Sequence, residues 1–231
     1  MPALYSYILK HDIGAAPNPF WGKCTLTICK PAIRRTAKIG DWIIGTGSKN
    51  SRLKDGNLHD LSGSIVYVMK VSDVKSIADY DTFCGKSLKN KIPKWFSKDW
   101  RRRMGDCIYD YSSGSKPIMR KGVHKEENRK RDLGGLNALI SNHFYYFGEE
   151  ARPLPKHLKA IVKKSQGHLR IENPELIAGF LEWIKKFRKN KIYANPQSKY
   201  KFDLGPSEKQ IENCSKQHLK DDKSEREKVV C

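Results

Sequence analysis

The stretch from Ala16 to Ser48 constrains the fold more than any other part of the chain, because it sets two β-forming runs between proline and glycine breaks. In Cys24-Thr-Leu-Thr-Ile-Cys29 the apolar positions alternate. This predicts a half-buried strand with Leu26 and Ile28 on one side and both threonines on the other, ended by Pro31. Lys38-Ile-Gly-Asp-Trp-Ile-Ile44 predicts a tight turn feeding a buried strand, with Asp41 bonding backbone N–H groups of the turn. Residues 4–9 and 64–71 have the same β-forming character, and a Gly/Pro-punctuated loop over 14–22 and a polar loop over 49–63 separate these strands.

Further along, Ser72 or Asp73 is placed to cap a short helix reaching Tyr80, and residues 106–111 and 143–147 read as two later strands. The clearest helix starts at Asn173-Pro174, an N-cap followed by proline at the first helical position. Leu176, Ile177, Phe180, Leu181, Ile184 and Phe187 recur at helical spacing after it, a stripe for core packing. Strands and helices together predict an α+β fold, with one domain over residues 1–205. The segment 206–231 is a polar tail of balanced charge, expected to be disordered or weakly helical.

The chain carries 45 Lys and Arg against 25 Asp and Glu, a net charge of +20. The excess is regional: residues 86–131 hold 15 basic and 5 acidic side chains, and residues 156–191 hold 10 and 3. Regional charge points to a face for a polyanion, as against a generally basic surface. Arg101, Arg102, Arg103, Lys121, Arg129, Lys130 and Arg131 are the candidate phosphate contacts. No apolar run is long enough to cross a bilayer, and the first residues lack the basic start and apolar core of a signal peptide, so the expectation is a cytoplasmic protein with no membrane partner. The six cysteines, at 24, 29, 84, 107, 214 and 231, form no Cys-x-x-Cys pair or zinc-spaced cluster. They are expected to be reduced thiols. No metal and no cofactor is assigned.

Several residues have chemistry suited to holding a base. Asn18, Phe20 and Trp21 lie in a loop stiffened by Pro17 and Pro19, which is a low-entropy way to offer a stacking surface or, equally, a hydrophobic plug. Arg34 and Arg35 supply planar donors for phosphate or a guanine edge, or form a solvated pair. Trp42 is a further stacking candidate. Thr46, Gly47 and Ser48 end a strand with small residues that admit a ligand to the backbone, though they fit neither a Walker nor a Rossmann loop. Tyr109, Tyr111, Phe144, Tyr145, Tyr146 and Phe147 divide between stacking and core, and Tyr146 is retained as a base contact. Among His124, His143 and His168, the first and last are the candidate acid/base groups, since each lies near a basic segment. No complete catalytic set emerges from spacing.

Two resemblances rest on these residues. Lys38-Ile-Gly-Asp-Trp-Ile-Ile-Gly-Thr-Gly-Ser48, followed by Gly63-Ser-Ile-Val-Tyr-Val-Met-Lys-Val71 and a short helix, is similar to the strand order of PUA-like folds such as EVE, YTH and ASCH domains. This implies a small PUA-like β-barrel or a strongly curved mixed sheet with flanking helices. Leu4-Tyr-Ser-Tyr7, Ala16-Pro-Asn-Pro-Phe20, Cys24-Thr-Leu26, Cys29-Lys-Pro31, Ile33-Arg-Arg35, Gly40-Asp-Trp-Ile-Ile-Gly-Thr-Gly-Ser48, Gly105-Asp106, Ile108-Tyr109 and Phe144-Tyr-Tyr-Phe-Gly148 resemble the family called nucleotide modification associated domain 2, over residues 3–190. That resemblance implies phage and bacterial base-modification systems, with nucleic acid (DNA ahead of RNA) or a nucleotide as partner. It leaves three functions open: a reader of modified bases, a base- or nucleotide-modifying or cleaving enzyme using a histidine, and a nucleotide-sensing module.

Overall fold

The computed structural model describes residues 2–53, 55–165, 167–198 and 227–230, the last as backbone alone. The first half comprises β1 (Leu4–Ile8), β2 (Cys24–Leu26), α1 (Pro31–Thr36), β3 (Trp42–Thr46), β4 (Ser51–Arg52), β5 (Leu58–His59), β6 (Ser64–Lys70), β7 (Asp73–Ser76), α2 (Ile77–Ser87) and α3 (Trp100–Arg103). Then follow β8 (Tyr109–Asp110), β9 (Ile118–Met119), α4 (Arg129–Leu133), β10 (Asn137–Ser141), β11 (His143–Tyr146), β12 (Arg152–Pro153), β13 (His168–Ile171), α5 (Pro174–Ile184), β14 (Lys191–Ile192) and β15 (Glu227–Val230).

A mixed eight-stranded sheet in the order β14-β11-β6-β3-β1-β13-β15, with β12 also on β6, forms the centre. Its inner strands read as nearly continuous apolar runs because both faces are covered. One face carries Leu4, Trp42, Ile44, Val68, Tyr145 and Leu169 against Ile177, Phe180, Trp183 and Ile184 of α5. The other carries Tyr5, Tyr7, Ile43, Tyr67, Met69 and Tyr146 against Cys24, Leu26 and Leu139 of a second sheet, β2-β10-β7. The period of two in β10 lets this small sheet serve two cores, since Leu139 faces the large sheet while Ala138 and Ile140 face α2, Met104 and Ile108. The layers are therefore α5, large sheet, small sheet, and α2 with the β8-β9 pair.

The α+β class and the mixed sheet agree with expectation. Among the described residues the strands close into no barrel, because the large sheet ends at β14 and β15. The strand expected over 24–29 stops at Leu26: Cys29 and Lys30 turn into the left-handed region, φ 59° and 43°, so Ile28 enters the core under α2 instead of sharing the side of Leu26. The capped helix expected from residue 72 begins later, because Asp73–Ser76 pairs with β10 and the cap is Ser76, which accepts from Asp79 N–H at 3.0 Å. α5 begins as read, with Asn173 accepting from Leu176 N–H at 2.8 Å. Asp41 joins its turn to the sheet, taking N–H bonds from Lys38 at 2.9 Å and from Ala3 at 2.8 Å. Most of the tail, residues 206–226 and 231, lies outside the described residues; Glu227–Val230 runs parallel to β13. No helix among the described residues is long and apolar enough to cross a membrane.

Candidate active site

Three segments distant in sequence converge where the chain leaves β2. Cys29 occupies the bend between β2 and α1, and its left-handed backbone, followed by that of Lys30, costs about 1–2 kcal/mol per residue for L-amino acids. Pro31 then opens α1 with its φ already suited to a helix. Contacts from α1 and α4 hold the bend. Arg34 Nε donates to the Cys29 carbonyl at 2.7 Å, and Cys29 N–H donates to Asp132 Oδ1 at 2.9 Å.

Asp132, on α4, is fully buried and takes His124 Nδ1 on its second oxygen at 2.5 Å and the Tyr109 hydroxyl at 3.0 Å. The far nitrogen of the same imidazole, Nε2, lies 3.4 Å from Cys29 Sγ. Sulfur, imidazole and carboxylate thus stand in series. Cys29 is 3% exposed and His124 equally so. Burial opposes charge on His124, but the Asp132 carboxylate and then the Cys29 sulfur overcome it and raise the imidazole to about 9. Burial also works against an ionised Asp132, yet His124 first and Arg34 after it hold this carboxyl at about 2. The imidazole is thus favoured in its charged form, with the Asp132 carboxylate behind it and the Cys29 sulfur in front.

Arg34 is the scaffold of this arrangement. It is completely buried and its guanidinium donates to backbone carbonyls of Cys29, Asn137 (2.8 Å) and Asp132. Gly135 leaves room for it, because a Cβ there would lie 2.2 Å from the guanidinium carbon. Of a bonded pair of phenols, Tyr7 and Tyr67, the first lies within electrostatic reach of the sulfur. Burial, and further the charges of Cys29 and Asp12, push Tyr7 well above its ordinary range, and its hydroxyl pairs with that of Tyr67 at 2.8 Å. Lys30 Nζ sits 4.8 Å from the Tyr7 ring centre.

A second buried network stiffens the adjoining segment. Lys91 Nζ donates to Asn18 O and Oδ1 and Lys23 O, all at 2.8 Å, and to Thr25 Oγ1 at 3.0 Å. Burial lowers this lysine to about 8. Thr25 (2.6 Å) and Tyr80 (2.9 Å) donate to the two oxygens of Asp106, whose pKa burial raises.

Of the residues singled out in the sequence, the structure gathers His124 and Arg34 here, the latter as a support with its donors occupied and not as a phosphate contact. The others are spread through the layers. Asn18 is buried and donates to Met104 O at 2.9 Å, and Phe20 packs edge-on against Trp100 at 5.3 Å. Trp21 is half-buried beneath Arg101, whose guanidinium carbon is 5.1 Å from the indole. Arg35 donates to Gly134 O at 2.7 Å. Trp42 lies on the α5 face of the large sheet and Tyr146 on the opposite face, bonded to Asp12 at 2.6 Å. Opposite faces of one sheet do not line one pocket. Thr46 Oγ1 donates to Tyr7 O at 3.1 Å, Gly47 abuts Leu61, and Ser48 accepts from Asn50 N–H at 3.3 Å. His168 is buried in β13 beside Tyr5.

Among the basic candidates, Arg101 pairs with Asp99 (2.8 Å) and Arg129 with Glu126, Arg103 donates to Ser97 O (2.6 Å) and Arg102 contacts Asn90. Lys121 and Lys130 are exposed and Arg131 half-buried. Cys29 enters the sequence analysis only within the strand and family motifs, with no chemical role assigned, and Asp132 is not singled out there. Cys29 carries one local signal, a cysteine between a β-run and a proline-started segment; Asp132 carries none beyond standing eight residues after His124.

Among the described residues no group of three or more His, Cys, Asp or Glu is placed to hold a metal ion. The family described as nucleotide modification associated domain 2 matches residues 1–203. Neither a curated protein nor a solved structure matches the chain.

Proposed function

The chain belongs to the nucleotide modification associated domain 2 family, and from that premise we propose that it is an enzyme acting on a nucleobase or nucleotide through the Cys29 thiol. The observation that carries this reading is the placement of His124, with Nε2 at 3.4 Å from Sγ and Nδ1 at 2.5 Å from Asp132. A nucleophile, a base and a group that orients the base are the parts of nucleophilic catalysis. Asp132 fixes the ring plane and stabilises the imidazolium that His124 becomes on taking the Cys29 proton, and the sulfur anion left behind bonds to an electrophilic carbon of the substrate. The same imidazolium then returns the proton to the departing atom or to the ring atom that gained the electron pair. The strained left-handed backbone of Cys29 matches the practice of storing strain at reacting residues.

The reader function expected from Asn18, Phe20, Arg34, Trp42, Thr46 and Tyr146 has less support, since these side chains are committed to contacts within the protein. The test is a panel of modified and plain nucleotides and oligonucleotides followed by mass spectrometry. Turnover by the wild type is expected to vanish in Cys29→Ser and fall at least about 100-fold in His124→Ala, while iodoacetamide labels Cys29 in peptide maps of the wild type. Unchanged turnover in folded Cys29→Ser would overturn the assignment.

A further inference from the structure

The segment between Lys91 and Gly105 displays an aromatic pair with no role in the core. Ser97 N–H donates to the Lys94 carbonyl at 3.0 Å, closing a β-turn whose two central residues are Trp95 and Phe96. Phe96 is 86% exposed. The turn is held firmly at its base: Lys94 N–H donates to Arg102 O at 2.8 Å, Arg103 Nε donates to Ser97 O, and Cys107 N–H donates to Lys91 O at 3.0 Å. Gly105 lets the two legs meet, since a Cβ there would be 2.5 Å from the Lys91 carbonyl oxygen. Beneath them Lys91 is tied to four acceptors in the buried network.

A single exposed apolar side chain needs no explanation. This one differs in its surroundings. Lys121 Nζ lies 5.2 Å from the Phe96 ring centre and 5.9 Å from that of Trp95, so one cation serves both rings. Lys94 and Lys98 are exposed on either side of the pair. The whole lies within residues 86–131, where basic side chains outnumber acidic ones 15 to 5. Aromatic faces interleaved with cations, on a turn that loses little entropy when bound, are the chemistry that stacks unpaired bases and neutralises the phosphates between them. A paired base in a duplex keeps its faces stacked on its neighbours and has none to offer.

We infer that the Trp95 and Phe96 turn is a stacking platform for single-stranded nucleic acid, which brings a polynucleotide to this protein. The inference extends the preceding reading from reaction to substrate, and as a statement about binding it stands without the thiol.

The test is fluorescence anisotropy with a labelled oligothymidylate, an oligouridylate of equal length and a duplex, using the full chain and Phe96→Ala, Phe96→Leu and Phe96→Trp. Because Phe96 is exposed, unchanged Tm in all three variants checks that folding is intact. Phe96→Ala and Phe96→Leu are expected to weaken single-strand binding by about 5- to 100-fold, and Phe96→Trp to retain it. The tighter of the DNA and RNA arms identifies the natural strand, and the duplex is expected to bind more weakly than either. Wild-type affinity in Phe96→Ala would overturn the inference, as would retention by Phe96→Leu, which keeps apolar area without a π-face. So would binding to phosphatidylserine vesicles that is lost in Phe96→Ala while oligonucleotide binding stays unchanged. The rate of Cys29 alkylation is expected to be equal in Phe96→Ala and wild type, so failure here is distinguishable from failure of the thiol assignment.

Discussion

At the scale of the residue, Asp132 decides the properties of the site, and its effect has a definite sign with pH. The folded protein raises His124 from 6.5 to about 9, so the stabilisation from its charged form is complete below about 6.5 and is lost as pH rises through about 9. Asp132 falls from 3.8 to about 2, so its contribution is complete above about 3.8 and is lost as pH falls through about 2. The pair therefore stabilises most fully between pH of about 4 and 6.5. Asp132→Asn leaves a buried imidazole without its counter-charge and is expected to cost about 3–5 kcal/mol at pH 6 in urea denaturation. At pH 10 the cost should shrink, because the wild type has by then lost the charge that the variant cannot support. An equal cost at both pH values would contradict the charge pair. His124 was legible in the sequence as a histidine near basic segments, but its partners were not. The sulfur stands 95 positions before it and the carboxylate is one of 25 acidic residues, so only the fold brings them within hydrogen-bond reach.

At the scale of the element, legibility followed the distance over which the determining contacts act. α5 could be read because its signals are local: a cap at Asn173, Pro174 behind it, and an apolar stripe that the structure buries against the large sheet. β10 could not, since its Leu139 and Ile140 serve cores on opposite sides and the two sheets that demand this are remote in sequence. β7 differs from its local signal for the same reason: Ser72 and Asp73 offer a plausible helix cap, and the non-local ladder with β10 overrides it. α1 and α4 form the support of the site, and Gly135 is where they touch. Gly135→Ala places a methyl against a guanidinium that is packed on all sides, which must push Arg34 off the Cys29 and Asp132 carbonyls. The expected outcome is a loss of about 1–3 kcal/mol and a changed rate of Cys29 alkylation in peptide maps. Asn173→Ala, at the cap of α5 on the other side of the large sheet, is expected to cost about 1 kcal/mol and leave that rate unaltered. If both variants altered the rate equally, α1 and α4 would not be the specific support of the thiol.

At the scale of the whole molecule the net charge of +20 acts on two equilibria with opposite sign. Self-repulsion among like charges works against the compact state, and added salt screens it, so Tm is expected to rise with ionic strength. Binding of a polyanion draws its free energy from released counterions, so affinity for single-stranded nucleic acid is expected to fall over the same range. The uneven distribution of charge separates these two effects. Residues 86–131 and 156–191 both carry a basic excess, but the aromatic turn belongs to the first of them. Lys121→Ala removes a cation beside Phe96 and should lower the slope of log affinity against log salt by about 0.7, the contribution of one phosphate contact on a single strand. Lys185→Ala removes an equal charge from the end of α5, where the side chain pairs with Glu182 at 3.0 Å, and should leave the slope unaltered. Binding isotherms at about 50 and 200 mM salt, measured beside thermal melts, supply both quantities. Equal loss of slope in the two lysine variants would mean that the polyanion meets the charge of the molecule as a whole and that the aromatic turn has no privileged part in binding.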